Sequence, residues 1–147
     1  MIRLLLINGP NMNMLGIRQP EIYGYDSLDD IEAIASARAK SLGAQLECFQ
    51  SNSEGAIITR LHEAYGKVDG ILINPAAFTH YSYAIADAIA AVGIPTVEVH
   101  MSDINSRENF RKISVTAPQC IAQISGKGKE SYSVGVEKIV EYITKEK

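Results

Sequence analysis

The chain of 147 residues has no tryptophan, only two cysteines and three histidines, and no long apolar run. No stretch approaches the roughly 20 apolar residues of a membrane-spanning helix, so the sequence does not predict a membrane protein. The first residues, MIRLLLING, lack the length and the cleavage site of a signal peptide, and we therefore expect a cytoplasmic protein. A net charge of -3 gives no general signal for binding nucleic acid or other polyanions.

Several motifs of known chemistry are also missing. Cys48 and Cys120 lack the spacing of metal ligands, and their apolar, strand-like surroundings are typical of buried free thiols. The three histidines are too scattered for a zinc-site pattern. The loop GPNMNMLG has neither the GxxxxGK(S/T) pattern of a phosphate loop nor the GxGxxG fingerprint of a dinucleotide site. No GxSxG motif occurs, which excludes the common serine-nucleophile elbow.

What is present is a regular alternation of apolar runs and segments with helical periodicity. The apolar runs read IRLLLI, QLECF, GILIN, PTVEV and CIAQI, and each is short enough for a buried strand. Helices are predicted from Ser27 to Gly43, over residues 57–66, from near Thr79 to before Gly93, briefly after Ser106, and over residues 136–143. The alternation predicts an α/β fold, a flavodoxin-like, five-stranded parallel sheet with helices on both faces, in one catalytic domain over residues 1–147.

In such a sheet, ligands bind outside the carboxyl ends of the strands. Amides, imidazoles and hydroxyls concentrate at these ends. They follow the first, third and fourth strands and comprise Asn8, Asn11, Asn74, His80, Glu98, His100, Met101 and Ser102. Asparagines at strand ends are also common turn formers, but their combination with two histidines favours a binding site. No lysine belongs to this group, which argues against Schiff-base chemistry.

Glu98 and His100 are two residues apart, so their side chains point to the same side of an extended chain. A carboxylate that orients an imidazole makes a good acid–base unit, although a satisfied histidine at a strand end fits the same pattern. His80 is predicted near a helix start, where the dipole disfavours its charged form, and a capping role fits equally well. Asp87 follows seven residues later on the same predicted helix face and, by itself, is more typical of a solvated acid.

Two arginine-containing segments complete the set. Arg107 and Arg111 have planar side chains suited to gripping a carboxylate, but an exposed helix with two arginines fits equally. The loop INGPNMNMLGIRQPEIYG contains two prolines and three glycines and is predicted to be too broken for a helix. Its chemically strongest side chains are Arg18 and Tyr23. Free tyrosine has a pKa of about 10 and is a poor base at neutral pH, so the pair needs an explanation.

A close resemblance to type II 3-dehydroquinate dehydratase is carried by four stretches, LINGPNMNMLGIRQPEIYG, QSNSEGAIITRLHEA, INPAAFTHYSYAIADAI and VEVHMSDINSRENFRKIS, and covers nearly the whole chain. The resemblance implies a flavodoxin-like subunit in a homo-dodecamer, a tetramer of trimers. It implies dehydration of 3-dehydroquinate to 3-dehydroshikimate by anti elimination through an enolate. This reaction serves the shikimate pathway of aromatic amino acid biosynthesis, or quinate catabolism. The resemblance also implies that no metal and no organic cofactor takes part.

The same resemblance implies a role for each matching residue. Tyr23 is the base that removes the C2 proton, and Arg18 holds it as its anion. Asn11 holds the water bonded to the enolate oxygen. His100 protonates the leaving hydroxyl, and Glu98 orients His100. The implied substrate-binding residues are Asn74, His80, Asp87, Met101, Ser102 and Arg111, of which Asp87 approaches from a neighbouring subunit.

This interpretation explains the loop. Proton removal next to a ketone benefits from a strong base, and a guanidinium beside a phenol lowers its pKa. One pKa unit corresponds to about 1.4 kcal/mol, and a few units are needed, so Arg18 must act together with partial exclusion of water by a closing loop. The competing hypothesis is a non-catalytic flavodoxin-like module that binds FMN or a phosphate ligand. Such a module needs a loop rich in Ser, Thr and Gly amides, where this chain has Asn-Met-Asn-Met and an arginine.

The chain departs from the family's pattern at a few positions. Gln19 stands where glutamate is usual, Ala76 where glycine is usual, and Asp103 where asparagine is usual. Ala122 and Ser131 stand where glycines are common. None of these changes removes a catalytic group, and we expect them to act on affinity, on the loop and on trimer packing.

Overall fold

The protein, as a computed structural model, is described over residues 1–17, 19–23 and 25–146, without the side chains of Ile22 and Tyr23. Within this part, five strands form one sheet: β1 (Ile2–Asn8), β2 (Ala44–Gln50), β3 (Gly70–Asn74), β4 (Thr96–Val99) and β5 (Ala122–Ile124). Their order across the sheet is β2-β1-β3-β4-β5, and all pairings are parallel. This is the flavodoxin-like order, and the predicted fold class is confirmed.

Helices cover both faces of the sheet. They are α1 (Pro20–Tyr23), α2 (Leu28–Ser41), α3 (Glu54–Ala64), α4 (Tyr83–Val92) and α5 (Glu130–Glu146). Along β1, Leu4 and Leu6 pack into the core on the side of α2 and α5, whereas Leu5 and Ile7 pack into the core on the side of α3 and α4. A strand buried on both faces is apolar throughout, as the run IRLLLI predicts. No helix of the described residues is long and apolar enough to cross a membrane.

The start of α2 agrees with the sequence. Ser27 Oγ accepts a hydrogen bond from the Asp30 N–H, and the Asp30 carboxylate accepts one from the Ser27 N–H. This reciprocal pair satisfies two N–H groups at the helix start, as Ser27 followed by acidic residues predicts.

The helix expected from near Thr79 starts later, at Tyr83. The reason is Ser82, whose hydroxyl accepts a hydrogen bond from the Ile85 N–H and caps the helix there. A separate 3₁₀ helix, Ala76–His80, comes before it. The residues after β3 therefore form a 3₁₀ helix and α4 with a break between them. Because of that break, their side chains do not follow the face of the one continuous helix that the sequence predicts.

Two further segments differ from the sequence prediction. The short helix expected after Ser106 is replaced by two 3₁₀ turns, Ile104–Ser106 and Asn109–Arg111. The loop after β1, predicted to be too broken for a helix, contains the four-residue helix α1. Its first residue is Pro20, whose fixed φ suits the first helical position and whose missing N–H is not needed there.

The ends of β1 and β3 are held together closely. Asn8 and Asn74 are register partners, and the Gly9 N–H donates a hydrogen bond of 2.8 Å to the Asn74 carbonyl. A Cβ atom at Gly9 would lie 2.5 Å from the Pro75 carbonyl oxygen. Only glycine permits this approach, and it brings the polar residues that follow the two strands to one place.

Candidate active site

A cleft opens at the carboxyl ends of β1, β3 and β4, where the sequence predicts the site. It encloses about 560 Å³ of space, part of which is open to solvent. Its lining includes Asn11, Asn74, His80, His100, Met101, Ser102 and Arg111. These residues follow different strands, and only the parallel sheet brings them together.

The chemical centre of the cleft is the pair of Glu98 and His100. His100 Nε2 lies 2.8 Å from Glu98 Oε2, so the two side chains meet as their spacing predicts. Glu98 is wholly buried and His100 is 6% exposed. Because an ionised carboxylate only accepts hydrogen bonds, Nε2 donates to Glu98, and Nδ1 is the nitrogen left for a ligand in the cleft.

Three further side chains donate hydrogen bonds to the Glu98 carboxylate. Ser114 Oγ and Gln123 Nε2 each lie 2.8 Å from Oε2, and the Thr116 hydroxyl donates to Oε1. Burial raises the pKa of Glu98. The hydrogen bond and charge of His100, with the bonds from Thr116 and Gln123, outweigh burial and lower the pKa from 4.5 to about 2. Glu98 is therefore an anion at neutral pH, and an anion in this position stabilises a positively charged imidazole.

None of these three donors is predicted from the sequence. Gln123 carries the one usable signal, because it is a polar residue inside the apolar run CIAQI, and in the sheet it is the register partner of Glu98. Ser114 and Thr116 lie in a loop between β4 and β5. No periodic pattern places a loop hydroxyl beneath a strand residue, so only the fold shows their role.

Thr79 ties the 3₁₀ helix Ala76–His80 to the same loop. It is wholly buried, and its Oγ1 lies 2.8 Å from the hydroxyls of both Ser114 and Thr116. Those two hydroxyls give their own hydrogens to Glu98, so the Thr79 hydroxyl donates to one of them. The segment that carries His80 is thereby connected to the carboxylate that holds His100.

His80 lies in the cleft with one ring nitrogen already engaged. Its Nδ1 is 2.7 Å from the Ile113 carbonyl oxygen, so Nδ1 donates and Nε2 remains as an acceptor. Burial lowers the pKa of His80, the Ile113 carbonyl opposes this, and the charges of His100 and Arg111 lower it further. His80 ends its own 3₁₀ helix and lies two residues before Ser82, the cap of α4, and the predicted effect of a helix dipole on His80 stays a prediction.

The two asparagines of the cleft differ in their freedom. Asn74 Oδ1 accepts a hydrogen bond from the Ala76 N–H (3.0 Å), and its Nδ2 faces the Tyr132 hydroxyl (2.9 Å) and the Met12 sulphur (3.7 Å). Its amide is held rigidly and retains one lone pair on Oδ1 for a ligand. Asn11 is exposed, with a left-handed φ of 69° that asparagine tolerates well.

The loop after β4 supplies the positive and donor groups. The carbonyls of Met101 and Ser102 accept hydrogen bonds from the loop before α5, while their own N–H groups have no backbone partner among residues 1–17, 19–23 and 25–146. Arg107 and Arg111 both line the cleft, so the alternative of an exposed helix with two arginines is wrong. Arg111 also packs over the ring of Phe110, with 4.8 Å from Cζ to the ring centroid.

Asp87 is exposed on α4 and is not part of the cleft lining within one chain. The predicted helix face shared by Asp87 and His80 is wrong, because the cap at Ser82 separates the two residues into different helices.

Two predicted catalytic groups lie outside the described part of the chain. Arg18 is not described, and Tyr23 is described only as the last residue of α1, without its side chain. Their predicted roles remain predictions.

The sequence model of the family Dehydroquinase class II matches residues 2–140 of the chain. The chain belongs to the class II dehydroquinase family. The resemblance predicted from its four motifs is therefore confirmed.

Curated relatives share about half of the residues of this chain. A 3-dehydroquinate dehydratase of Geotalea daltonii is 54% identical over 144 residues, which cover 98% of this chain and 100% of the relative. One of Desulforudis audaxviator is 52% identical over 146 residues, covering 99% and 97%. The type II dehydroquinase structure from Butyrivibrio crossotus is 48% identical, with a TM-score of 0.91 and coverage of 94% and 97%. That from Propionibacterium acnes is 36% identical, with a TM-score of 0.92 and coverage of 96% and 97%.

Among the departures from the dehydroquinase pattern, Ala76 has the clearest structural consequence. It adopts a left-handed φ of 53° and lines the cleft; for a residue with a Cβ atom, this conformation costs about 1–2 kcal/mol. Asp103 caps a 3₁₀ turn, since its Oδ1 accepts a hydrogen bond from the Asn105 N–H (2.9 Å). No group of three or more His, Cys, Asp and Glu side chains that could hold a metal ion occurs in the part described.

Proposed function

We propose that the protein is a type II 3-dehydroquinate dehydratase, which removes water from 3-dehydroquinate to give 3-dehydroshikimate. Membership of the family and the names of relatives that match nearly the whole chain support this activity. The observation that carries it is the buried Glu98–His100 pair, whose histidine lines a cleft together with Asn74, His80 and Arg111. The alternative of a non-catalytic binding module is not favoured, because these relatives are named as dehydratases.

The first step removes a proton next to the ketone. A base takes the C2 proton, and the electron pair of that C–H bond forms an enolate. We assign Tyr23 as this base and Arg18 as the cation that lowers the pKa of its phenol. Asn11, at the cleft, holds the water that stabilises the enolate oxygen. The sequence pattern of the family supports these three assignments.

The second step expels the β-hydroxyl. The enolate collapses, the C–O bond breaks, and the leaving oxygen takes a proton to depart as water. We assign His100 as the acid. Because Nε2 donates to Glu98, the proton must come from Nδ1, so the ring is an imidazolium before the step and a neutral imidazole after it. The Glu98 anion stabilises that imidazolium.

Substrate binding is assigned to the groups around this pair. The substrate carboxylate fits the N–H groups of Met101 and Ser102, whose carbonyls are already fixed by the adjoining loop. The substrate hydroxyls fit the Nε2 acceptor of His80, the free lone pair of Asn74 and the guanidinium of Arg111. These are polar groups spaced around a mostly apolar lining, as specific small-molecule sites require.

Activity is tested by adding 3-dehydroquinate and following the ultraviolet absorbance of the conjugated enone product. His100→Ala should lose most turnover, and His62→Ala, which changes an exposed histidine on α3, serves as the matched control. A parent protein that forms no product would contradict the proposed function.

The base is tested separately. Tyr23→Phe keeps the ring and should nearly abolish turnover, whereas Tyr25→Phe, at a residue 83% exposed, should not. Arg18→Ala should be weakly active at neutral pH and recover partly as the pH rises towards the free phenol value of about 10. If the kcat/KM profile of Arg18→Ala matched that of the parent, Arg18 would not tune the base.

The working assembly is proposed to be a homo-dodecamer, a tetramer of trimers, in the cytoplasm, with residues 1–147 as a single catalytic domain serving the shikimate pathway or quinate catabolism. The exposure of Asp87 on α4 supports assembly, because an acid assigned to substrate binding then has to reach the cleft of a neighbouring subunit. Light scattering that found a fully active monomer would contradict this assignment.

A further inference from the structure

A chain of buried polar side chains lies behind the cleft wall, apart from the Glu98–His100 pair. Its centre is Tyr132, in the first turn of α5 and wholly inaccessible to solvent. The Tyr132 hydroxyl lies 2.6 Å from Asn8 Oδ1 and 2.9 Å from Asn74 Nδ2. Asn8 and Asn74 are themselves buried, at the ends of β1 and β3. One hydroxyl therefore joins three elements at the edge of the sheet where the cleft opens.

The direction of each hydrogen bond in this chain is determined. The Ala76 N–H can only donate, so the atom facing it must be Asn74 Oδ1. Asn74 Nδ2 then faces the Tyr132 oxygen as a donor, and the single hydrogen of Tyr132 must go to Asn8 Oδ1. Burial raises the pKa of Tyr132, which keeps this hydrogen on the phenol. Turning the Asn74 amide by half a rotation would set its NH₂ against the Ala76 N–H, and turning the Asn8 amide would leave the Tyr132 hydrogen without an acceptor.

The chain ends at the cleft wall, where the backbone is under strain. Ala76 has a left-handed φ of 53° and lines the cleft together with Asn74 and Met12. Strained conformations persist only where the surrounding structure holds them. The bond from the Ala76 N–H to Asn74 is the side-chain contact that holds this one, and Tyr132 determines which way the Asn74 amide faces.

We propose that Tyr132 is a positioning residue for substrate binding, which fixes the Asn74 amide and through it the left-handed turn at Ala76. The proposal rests on the proposed function. Glu98 lies in β4 and is held by Ser114, Thr116 and Gln123, and His100, directly after β4, is held by Glu98. Loss of the Tyr132 hydroxyl therefore disturbs the binding wall and leaves the acid–base pair in place.

Tyr132→Phe removes the hydroxyl and keeps the ring. Its KM for 3-dehydroquinate should rise by about tenfold, since a buried amide loses its partner, while kcat stays within about twofold and its pH profile is unchanged. Tyr142→Phe, on the exposed side of the same helix, is the matched control. Ile139→Val is the stability control, because Ile139 packs at Gly70, the opposite end of β3. It should lower Tm with no change in KM.

A double-mutant cycle separates positioning from general destabilisation. If Tyr132 acts through Asn74, the change in KM from Tyr132→Phe should largely disappear in an Asn74→Ala background. Should Tyr132→Phe not fold, Asn8→Ala serves instead: it removes the acceptor of the Tyr132 hydrogen, which then competes for Asn74 Oδ1, and the same rise in KM is expected. An unchanged KM in an active variant, or equal effects in both backgrounds, would overturn the proposal. An inactive parent would overturn the proposed function instead.

Discussion

Replacing Glu98 with glutamine removes the negative charge beside His100 and keeps the shape of the side chain. The folded protein lowers the pKa of this carboxyl from 4.5 to about 2. Since one pKa unit corresponds to about 1.4 kcal/mol, the ionised group stabilises the fold by about 3 kcal/mol at neutral pH. For a chain of this length, losing it should lower Tm by about 6–12 °C. The new amide can be accommodated with its NH₂ towards Thr116, whose hydroxyl can turn to accept, so lost charge is the main effect.

The destabilisation should depend on pH in one direction. A carboxyl whose folded pKa lies below its unfolded pKa stabilises the fold above the unfolded value, and this contribution is lost as the pH falls through the folded value. The difference in the free energy of unfolding between the parent and Glu98→Gln should therefore reach its largest value near neutral pH. It should shrink below pH 4.5 and vanish near pH 2.

Unfolding by urea, followed by circular dichroism because the chain has no tryptophan, measures this difference. All variants are compared at one protein concentration, since assembly contributes to stability. Glu141→Gln is the control, because Glu141 pairs with Lys145 on the exposed face of α5 and exposed pairs contribute little. Equal stability of the parent and Glu98→Gln at neutral pH, or a difference that stays constant down to pH 2, would refute the reasoning.

Other variants test separate parts of the site. His100→Ala should lose about 10²–10⁴ in kcat in the enone assay, with a milder loss for Glu98→Gln; parental turnover would mean that another group is the acid. Ala76→Gly relieves about 1–2 kcal/mol of strain in the folded protein. It also costs about 0.4–1 kcal/mol of stability, because glycine raises the conformational entropy of the unfolded chain. Calorimetry should therefore show a Tm raised by no more than about 6 °C, and a lower Tm would contradict the left-handed turn. Gln123→Leu should reduce the free energy of unfolding by about 1 kcal/mol in urea titrations. Asp87→Asn should raise KM without shifting Tm, and a lowered Tm at unchanged KM would make Asp87 structural.

Local patterns in the sequence suffice for much of the framework. Apolar runs separated by helical periods predict the parallel sheet, because a strand covered on both faces must be apolar throughout. The spacing of Glu98 and His100 predicts their contact, because side chains alternate along an extended chain, and the structure confirms it. Ser27 predicts the start of α2 for an equally local reason.

Only the tertiary structure determines the contacts between residues that are far apart in the chain. Whether Asn74 and Tyr132 meet depends on how α5 packs against β3, 58 positions away, and no periodicity encodes that distance. The same holds for the hydroxyls of Ser114 and Thr116 beneath Glu98. The break at Ser82, which separates Asp87 from His80, is also not predicted by the spacing of apolar residues, because that spacing continues across it. Sequence determines which groups can act at the strand ends, whereas packing determines which buried partners hold them in position.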